Sequence, residues 1–326
     1  MLRVLFMGTP DFACPVLEAV HRAGHPVVAA VTQPDRPAGR GGRLTPPPVK
    51  VLAERLGIPV LQPRRVRRPE VVARLRELAP DVILTAAFGQ ILPAEVLALP
   101  RLGSLNVHAS LLPRYRGAAP IHRAVMNGET ETGVTIMWMD EGMDTGDMLI
   151  WRSVPILPQD TAGTLHDRLA ALGAELAVEA LRLVEEGRAP RIPQDHARAT
   201  YAPRLTREDE RIDWSEPAGR VRDRVRGLSP WPGAYTETPT GILKVWVVEV
   251  VPGAPAAEPG TLVAVPRGGA PVVACGEGAV ALVEVQPEGR RRMSGASYAA
   301  GHRLRVGDRL GVPPGGANPA PGPGDH

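Results

Sequence analysis

The sequence predicts an α/β protein: a Rossmann-like, mostly parallel sheet domain followed by a small all-β domain of barrel or sandwich type. Three observations lead there. Short apolar runs alternate with amphipathic helical patterns in the first half of the chain, as expected of parallel strands buried on both faces and joined by helical crossovers. Past position 230 the pattern changes to short apolar strands punctuated by Gly and Pro. A length of 326 residues favours two domains over one.

Taken in order, "LRVLFM" (2–7) reads as the first strand, and "GTPDF" follows it at once. Thr9 is placed there to cap a helix with Pro10 at its first position. Helical patterns at 11–23, 49–56 and 69–79 alternate with strands "PVVAAVT" (26–32), "DVILTAA" (81–87) and "SLNVH" (104–108). "ETGVTIMWM" (131–139) and "GDMLIWRSVPI" (146–156) read as a paired addition to that sheet. A long amphipathic helix spans 161–187, capped by Thr161 and ended by Gly187. A polar, Pro-bearing connector and a short helix over 216–226 lead into "AYTET", "ILKVWVVEVV", "GTLVAV", "PVVACG" and "AVALVEVQP". The expected division is a catalytic domain over 1–188, a linker over 189–208, a β domain over 209–311 and a tail over 312–326. That tail is too rich in Pro and Gly to order.

Composition excludes several classes. No apolar run approaches the roughly 18 residues of a membrane span, and the N-terminal apolar stretch is too short for a secretory signal. The reading is a soluble cytoplasmic protein. Cys14 and Cys275 lie far apart with no CxxC partner, so they read as two buried thiols rather than a disulfide framework or a zinc site. The eight histidines form no HxxxH or HExxH pattern, which favours metal-independent chemistry. The first turn lacks GxGxxG and the chain lacks GxxxxGK[ST], so neither NAD nor ATP is signalled. The net charge is only +3, yet residues 34–76 hold ten Arg and one Lys against Asp35, Glu54 and Glu70, a local +8. Such an excess favours a polyanion partner, although Arg is this chain's default cation throughout.

The chemistry gathers at "NVHASLLPRYRGAAP" (106–120). Asn106 and His108 are two apart, so a strand presents both on one face, at its carboxyl end. In open α/β sheets that edge is where ligands bind. "MDEGMDTGD" (139–147) offers Asp140, Asp144 and Asp147 in a Gly-broken loop between two strands, and one of them can reach His108. An amide, an imidazole and a carboxylate suit acyl transfer to an amine: the amide donates to the oxyanion of a tetrahedral intermediate, and the other two manage the amine's proton.

"NVHASLLPRYRGAAPIHRAV" together with "ETGVTIMWMDEGMDTGDML" resembles the formyltransferases that use 10-formyltetrahydrofolate. The resemblance implies catalytic roles for Asn106, His108 and Asp144. It also implies a folate-binding loop at Ser110, Leu111, Leu112 and Pro113. Phe88, Gly89 and Ile91, in "AAFGQIL", are then expected to line the pterin site, with Asp140 and Gly142 also near the folate. Members of the family act on glycinamide ribonucleotide, an amino-sugar nucleotide, initiator methionyl-tRNA or formyltetrahydrofolate itself. "FMGTPDFA" and "TQPDRPAGRGGRLTPPPVKVLAERLGIPVLQP" (32–63) are similar to the members that act on initiator methionyl-tRNA. That likeness implies an acceptor-stem contact through Arg36, Arg40, Arg43 and Lys50, with Gly39, Gly41 and Gly42 allowing close backbone approach. "RIDWSEPAGRVRDRVRGLSPWPGAYT" (211–236) is similar to the start of those members' C-terminal, OB-like, tRNA-binding domain. The resemblance further implies a monomer, and the histidine pattern leaves the expected chemistry without a metal. The rival readings are a formyltransferase for a small amine such as an amino-sugar nucleotide, a formyltetrahydrofolate hydrolase, and a non-catalytic RNA-binding protein. The basic segment argues against the first two, because neither needs its reach.

Overall fold

The computed structural model describes residues 1–38 and 42–312. Gly39, Arg40, Gly41 and the Pro/Gly tail from 313 onward lie outside the described residues. Two compact units emerge: Met1–Pro120, Glu131–Pro155 and Leu165–Pro203 in the first, and Ile121–Thr130, Ile156–Thr164 and Arg204 onward in the second.

In chain order the first half runs β1 (Val4–Gly8), α1 (Ala13–Arg22), β2 (Val27–Val31), β3 (Arg36–Ala38), β4 (Arg43–Thr45), α2 (Pro48–Arg55), β5 (Val60–Leu61), α3 (Pro69–Glu77) and β6 (Val82–Ala86). It continues α4 (Ala94–Leu97), β7 (Ser104–His108), α5 (Pro120–Met126), β8 (Glu131–Trp138), β9 (Met148–Pro155) and α6 (Ala162–Glu185). Seven strands form one sheet in the order β5-β2-β1-β6-β7-β8-β9. Pairing is parallel from β5 through β7 and antiparallel at β7–β8 and β8–β9. The expected paired addition is therefore an antiparallel extension beyond β7.

Every residue of β1 and β6 is buried, which is why these strands read as apolar runs, broken only by Thr85 in β6. Leu5 and Met7 of β1 point with Ile83 of β6 into a core shared with Val72, Leu75 and Phe88. The strand order turns outward on both sides of the β1–β6 pair. The carboxyl ends of β1, β6 and β7 thus open one crevice at the topological switch.

Two local expectations fail for identifiable reasons. Thr9 does not cap α1, whose preceding residue is Phe12 with no side-chain cap. Its hydroxyl instead donates to the Phe88 carbonyl (2.9 Å) and accepts from the Gln33 N–H (3.2 Å), tying together the turns after β1, β6 and β2. Tertiary hydrogen bonds outrank the local cap here. The basic segment, read as a loop, contains the β3–β4 hairpin, with Arg36 opposite Thr45 and Ala38 opposite Arg43. Its Gly and Pro content hid the strands.

The connector after α6 is held to the first unit. Ile192 exchanges backbone hydrogen bonds with Met148 (2.8 and 3.0 Å), and Arg116 does the same with Thr200 and Ala202 (2.9 and 2.7 Å).

The second unit contains α7 (Arg207–Glu210), α8 (Ala218–Gly227), β10 (Ala234–Thr238), β11 (Gly241–Val251), β12 (Leu262–Ala264), β13 (Val272–Ala274), β14 (Ala279–Pro287), β15 (Met293–Ser294) and α9 (Gly295–His302). Its strands form an antiparallel sheet in the order β10-β11-β14-β13-β12, with β15 on β14. The two edge strands are stitched by one segment: the Leu310 N–H donates to the Gly260 carbonyl and the Gly311 N–H to the Glu237 carbonyl, both at 2.8 Å. Inside lie Trp214, Val221, Leu228, Leu243, Val245 and Leu282. Among the described residues no helix is long and apolar enough to cross a membrane.

Candidate active site

β7 delivers Asn106 and His108 to the crevice, as their spacing requires. The 139–147 loop, anchored where β8 and β9 pair, swings Asp144 over them. His108 Nδ1 lies 3.6 Å from Asp144 Oδ2, and Asn106 Nδ2 lies 3.5 Å from Asp144 Oδ1. Asp144 Oδ2 also accepts the Gly117 N–H at 2.8 Å. Of the three aspartates in the loop, only Asp144 reaches the imidazole. Asp140 closes its own turn, accepting from the Gly142 N–H (3.0 Å) and the Thr145 hydroxyl (2.6 Å).

His108 is 5 % exposed and its tautomer is set by one contact. Nε2 sits 2.9 Å from the Tyr115 carbonyl oxygen, which can only accept, so Nε2 carries the proton. In neutral imidazole Nδ1 then presents a lone pair beside the Asp144 carboxylate. A proton taken up at Nδ1 comes to lie against that negative charge.

Thr85 fixes the amide of Asn106. The two residues are cross-strand neighbours on β6 and β7, and the Thr85 hydroxyl lies 2.7 Å from Asn106 Oδ1. With its oxygen held there, the amide turns its two N–H donors toward Asp144 and the crevice. Sequence reasoning missed Thr85, because its role depends on which strand lies beside β7.

Two residues near the site adopt left-handed backbone without being glycine: Tyr115 (φ +59°) and Asp144 (φ +54°). Each costs on the order of 1–3 kcal/mol, which the surroundings must offset. Gly117 (φ +113°) is required for a further reason: a Cβ there would stand 2.9 Å from the Ala202 carbonyl oxygen.

The segment Ser110–Pro113 wraps back onto β8. The Ser110 hydroxyl donates to the Arg114 carbonyl (2.7 Å), Thr135 donates to the Ser110 carbonyl (2.7 Å), and the Leu112 N–H donates to Thr135 (3.2 Å). Leu112 is buried and Leu111 half-buried. Phe88 is buried in the sheet core and its carbonyl is taken by Thr9 and Gln33, whereas Gly89 (φ +83°) is exposed and Ile91 is 84 % exposed. Met139 packs against the same core. Among the described residues no group of three or more His, Cys, Asp or Glu is placed to hold a metal ion.

The basic segment is divided. Arg43 is exposed on β4, and Arg36 is exposed while donating to Gln33 Oε1 (3.2 Å). Lys50 is committed elsewhere: its ammonium meets both oxygens of Asp35 at 2.9 and 3.0 Å, and Gln62 donates to the same carboxylate at 2.7 Å. The Gln62 bond first, and then Lys50, hold the Asp35 carboxyl below its ordinary value, so this carboxylate stays charged through the neutral range.

Comparisons with known proteins bear on the whole chain. The family model described as "Formyl transferase" matches residues 2–181, and "Formyl transferase, C-terminal domain" matches 204–303. The methionyl-tRNA formyltransferase of Symbiobacterium thermophilum is 56 % identical over 326 residues, covering 100 % of both chains. That of Geobacter metallireducens is 54 % identical over 310 residues, covering 95 % of this chain and 99 % of its own. Among solved structures, the N-formyltransferase of Helicobacter canadensis, in complex with folinic acid and dTDP-3-aminofucose, superposes with a TM-score of 0.64 at 17 % identity, covering 86 % of this chain and 99 % of that one. This last likeness concerns the fold.

Proposed function

The chain belongs to the formyl transferase family, and on that premise we propose that it moves the formyl group of 10-formyltetrahydrofolate to the α-amine of methionine on initiator methionyl-tRNA, in the cytoplasm and as a monomer. The observation that carries the reading is the meeting of Asn106, His108 and Asp144 at the carboxyl edge of β7. The folate supplies a formyl carbon attached to a nitrogen that can leave.

Asn106 Nδ2 donates to the formyl oxygen as negative charge develops there. His108 Nδ1 takes the proton that the attacking amine must shed and returns it to the departing folate nitrogen. One N–C bond forms, one breaks, and the proton count balances. Asp144 stands beside Nδ1, where its negative charge stabilises the cationic form of the imidazole. The Ser110–Pro113 loop, with Phe88, Gly89, Ile91, Asp140 and Gly142 around it, is proposed to hold the folate. The basic segment, with Arg36 and Arg43 and with Arg40, which lies outside the described residues, is proposed to meet phosphates of the acceptor stem, and the C-terminal domain to bind the same tRNA. Lys50, paired to Asp35, supports the hairpin base instead.

A small-amine acceptor is less well supported. Identity of 56 % over the full length lies with a methionyl-tRNA enzyme, against 17 % for the sugar N-formyltransferase fold. The test offers purified protein 10-formyltetrahydrofolate with initiator methionyl-tRNA or, separately, with an amino-sugar nucleotide, and reads product mass. A formyl gain on methionine alone is expected. Gain on the sugar amine alone contradicts the assignment.

A further inference from the structure

We infer that Gln194, seated by the buried Arg116, is a positioning residue that holds the Asp144 loop in its reactive shape. The inference rests on the reading of Asp144 as part of the reacting centre, and extends it to a residue in the connector after α6.

The geometry is a closed circuit. Ile192 pairs with Met148 at the edge of β9, so the chain two residues later passes over the 144–146 turn. Gln194 is 5 % exposed, and its Nε2 donates to the Asp144 carbonyl (2.9 Å) and to the Gly146 carbonyl (2.7 Å). Its Oε1 accepts from Arg116 Nε (3.2 Å) and Nη2 (2.7 Å). Arg116 is 2 % exposed, and its Nη2 also meets His196 Nδ1 at 3.1 Å. The residue after Arg116 is Gly117, whose N–H holds Asp144 Oδ2. Asp144 is therefore gripped twice, at its backbone carbonyl by Gln194 and at its side chain by Gly117, and both grips run through Arg116.

The amide is the required group. The guanidinium can only donate and the two carbonyls can only accept, so the side chain between them must accept on one side and donate on the other. Among side chains of this length only glutamine does so without charge. Glutamate would keep the Arg116 contact and place carboxylate oxygens against two carbonyl oxygens. The left-handed Asp144 would lose the bonds that offset its strain, and its carboxylate would move relative to His108 Nδ1. A displacement near 1 Å at a reacting group costs about 100-fold in rate.

The experiment compares wild type, Gln194→Glu and Gln194→Met, with and without Asp144→Asn. In the wild-type background each Gln194 variant is expected to lower kcat about 100-fold with KM for both substrates within twofold. In the Asp144→Asn background the same change is expected to cost less than threefold, because residues acting through one another are not additive. Hydrogen exchange at the Gly117 amide supplies a readout independent of turnover, expected to quicken in both variants while β6 amides keep wild-type protection. An inactive wild type with this exchange pattern would overturn the functional reading and leave the positioning role standing. Unchanged Gly117 exchange, a kcat within threefold of wild type, or an undiminished loss on top of Asp144→Asn overturns the inference.

Discussion

At the end of β7, side chains from positions 106, 108 and 144 converge with every orientation fixed: Thr85 sets the amide, Tyr115 sets the tautomer, and Gly117 holds the carboxylate. In the basic segment, Arg36 and Arg43 stand exposed on a two-stranded hairpin, and Lys50 is taken by Asp35. The difference fits what each region is proposed to meet. A transferring acyl group develops charge at one oxygen and gives up a proton along one line, so its partners must be placed in advance. A phosphate backbone is a row of similar charges, and cations need reach more than placement. Motif spacing therefore reads the first kind of region, and charge counting reads the second without showing which cations are already paired within the fold, as Lys50 is with Asp35.

Substitutions can break that contrast. The largest effect belongs to Asn106→Ala, expected to lower kcat roughly 100- to 1000-fold with KM for tRNA little changed. Steady-state kinetics check it, and near-wild-type turnover by folded protein removes Asn106 from the reaction. Thr85→Val should follow, with kcat down roughly tenfold, about the value of one hydrogen bond, and Thr85→Ser restoring most of it. If valine and serine behave alike, the orienting bond has no kinetic weight.

In the basic segment, Arg43→Ala should leave turnover at saturation unchanged and reduce the salt slope of tRNA binding by about 1. Lys50→Ala should leave that slope near the wild-type value. Equal slope changes at both positions would show that the Asp35 pair opens to RNA. Smallest of all, Cys14→Ser should leave kcat unchanged. Burial first, and then nearby Asp11, push the Cys14 thiol up to about 11, so the thiolate is scarce at neutral pH. Slow alkylation at pH 7.5 that quickens toward pH 11 is expected; Cys14 is half-buried rather than buried as the sequence suggested, unlike Cys275, and rapid labelling at neutral pH would contradict the upward shift.

What the sequence made legible follows the same physics. β1 and β6 were visible because strands buried on both faces are largely apolar runs, and β7, with Asn106 and His108 on it, because a strand presents alternate residues together. From residue spacing Asp144 was visible only as one of three, since choosing it needs the path of the 139–147 loop, and it was the family resemblance that singled it out. Thr85 and Gln194 were hidden: one acts across a strand pair and the other from 50 residues away, and neither distance leaves a local pattern. Thr9 carried a genuine capping pattern that a tertiary bond to Phe88 overrode.

The most direct test of the account is a single-turnover measurement on His108→Ala, with 10-formyltetrahydrofolate and initiator methionyl-tRNA both bound and their affinities measured separately. The account requires the transfer step to slow on the order of 100-fold or more, the contribution of a positioned acid–base group, with both affinities kept. A transfer rate within threefold of wild type would place the chemistry somewhere other than the edge of β7.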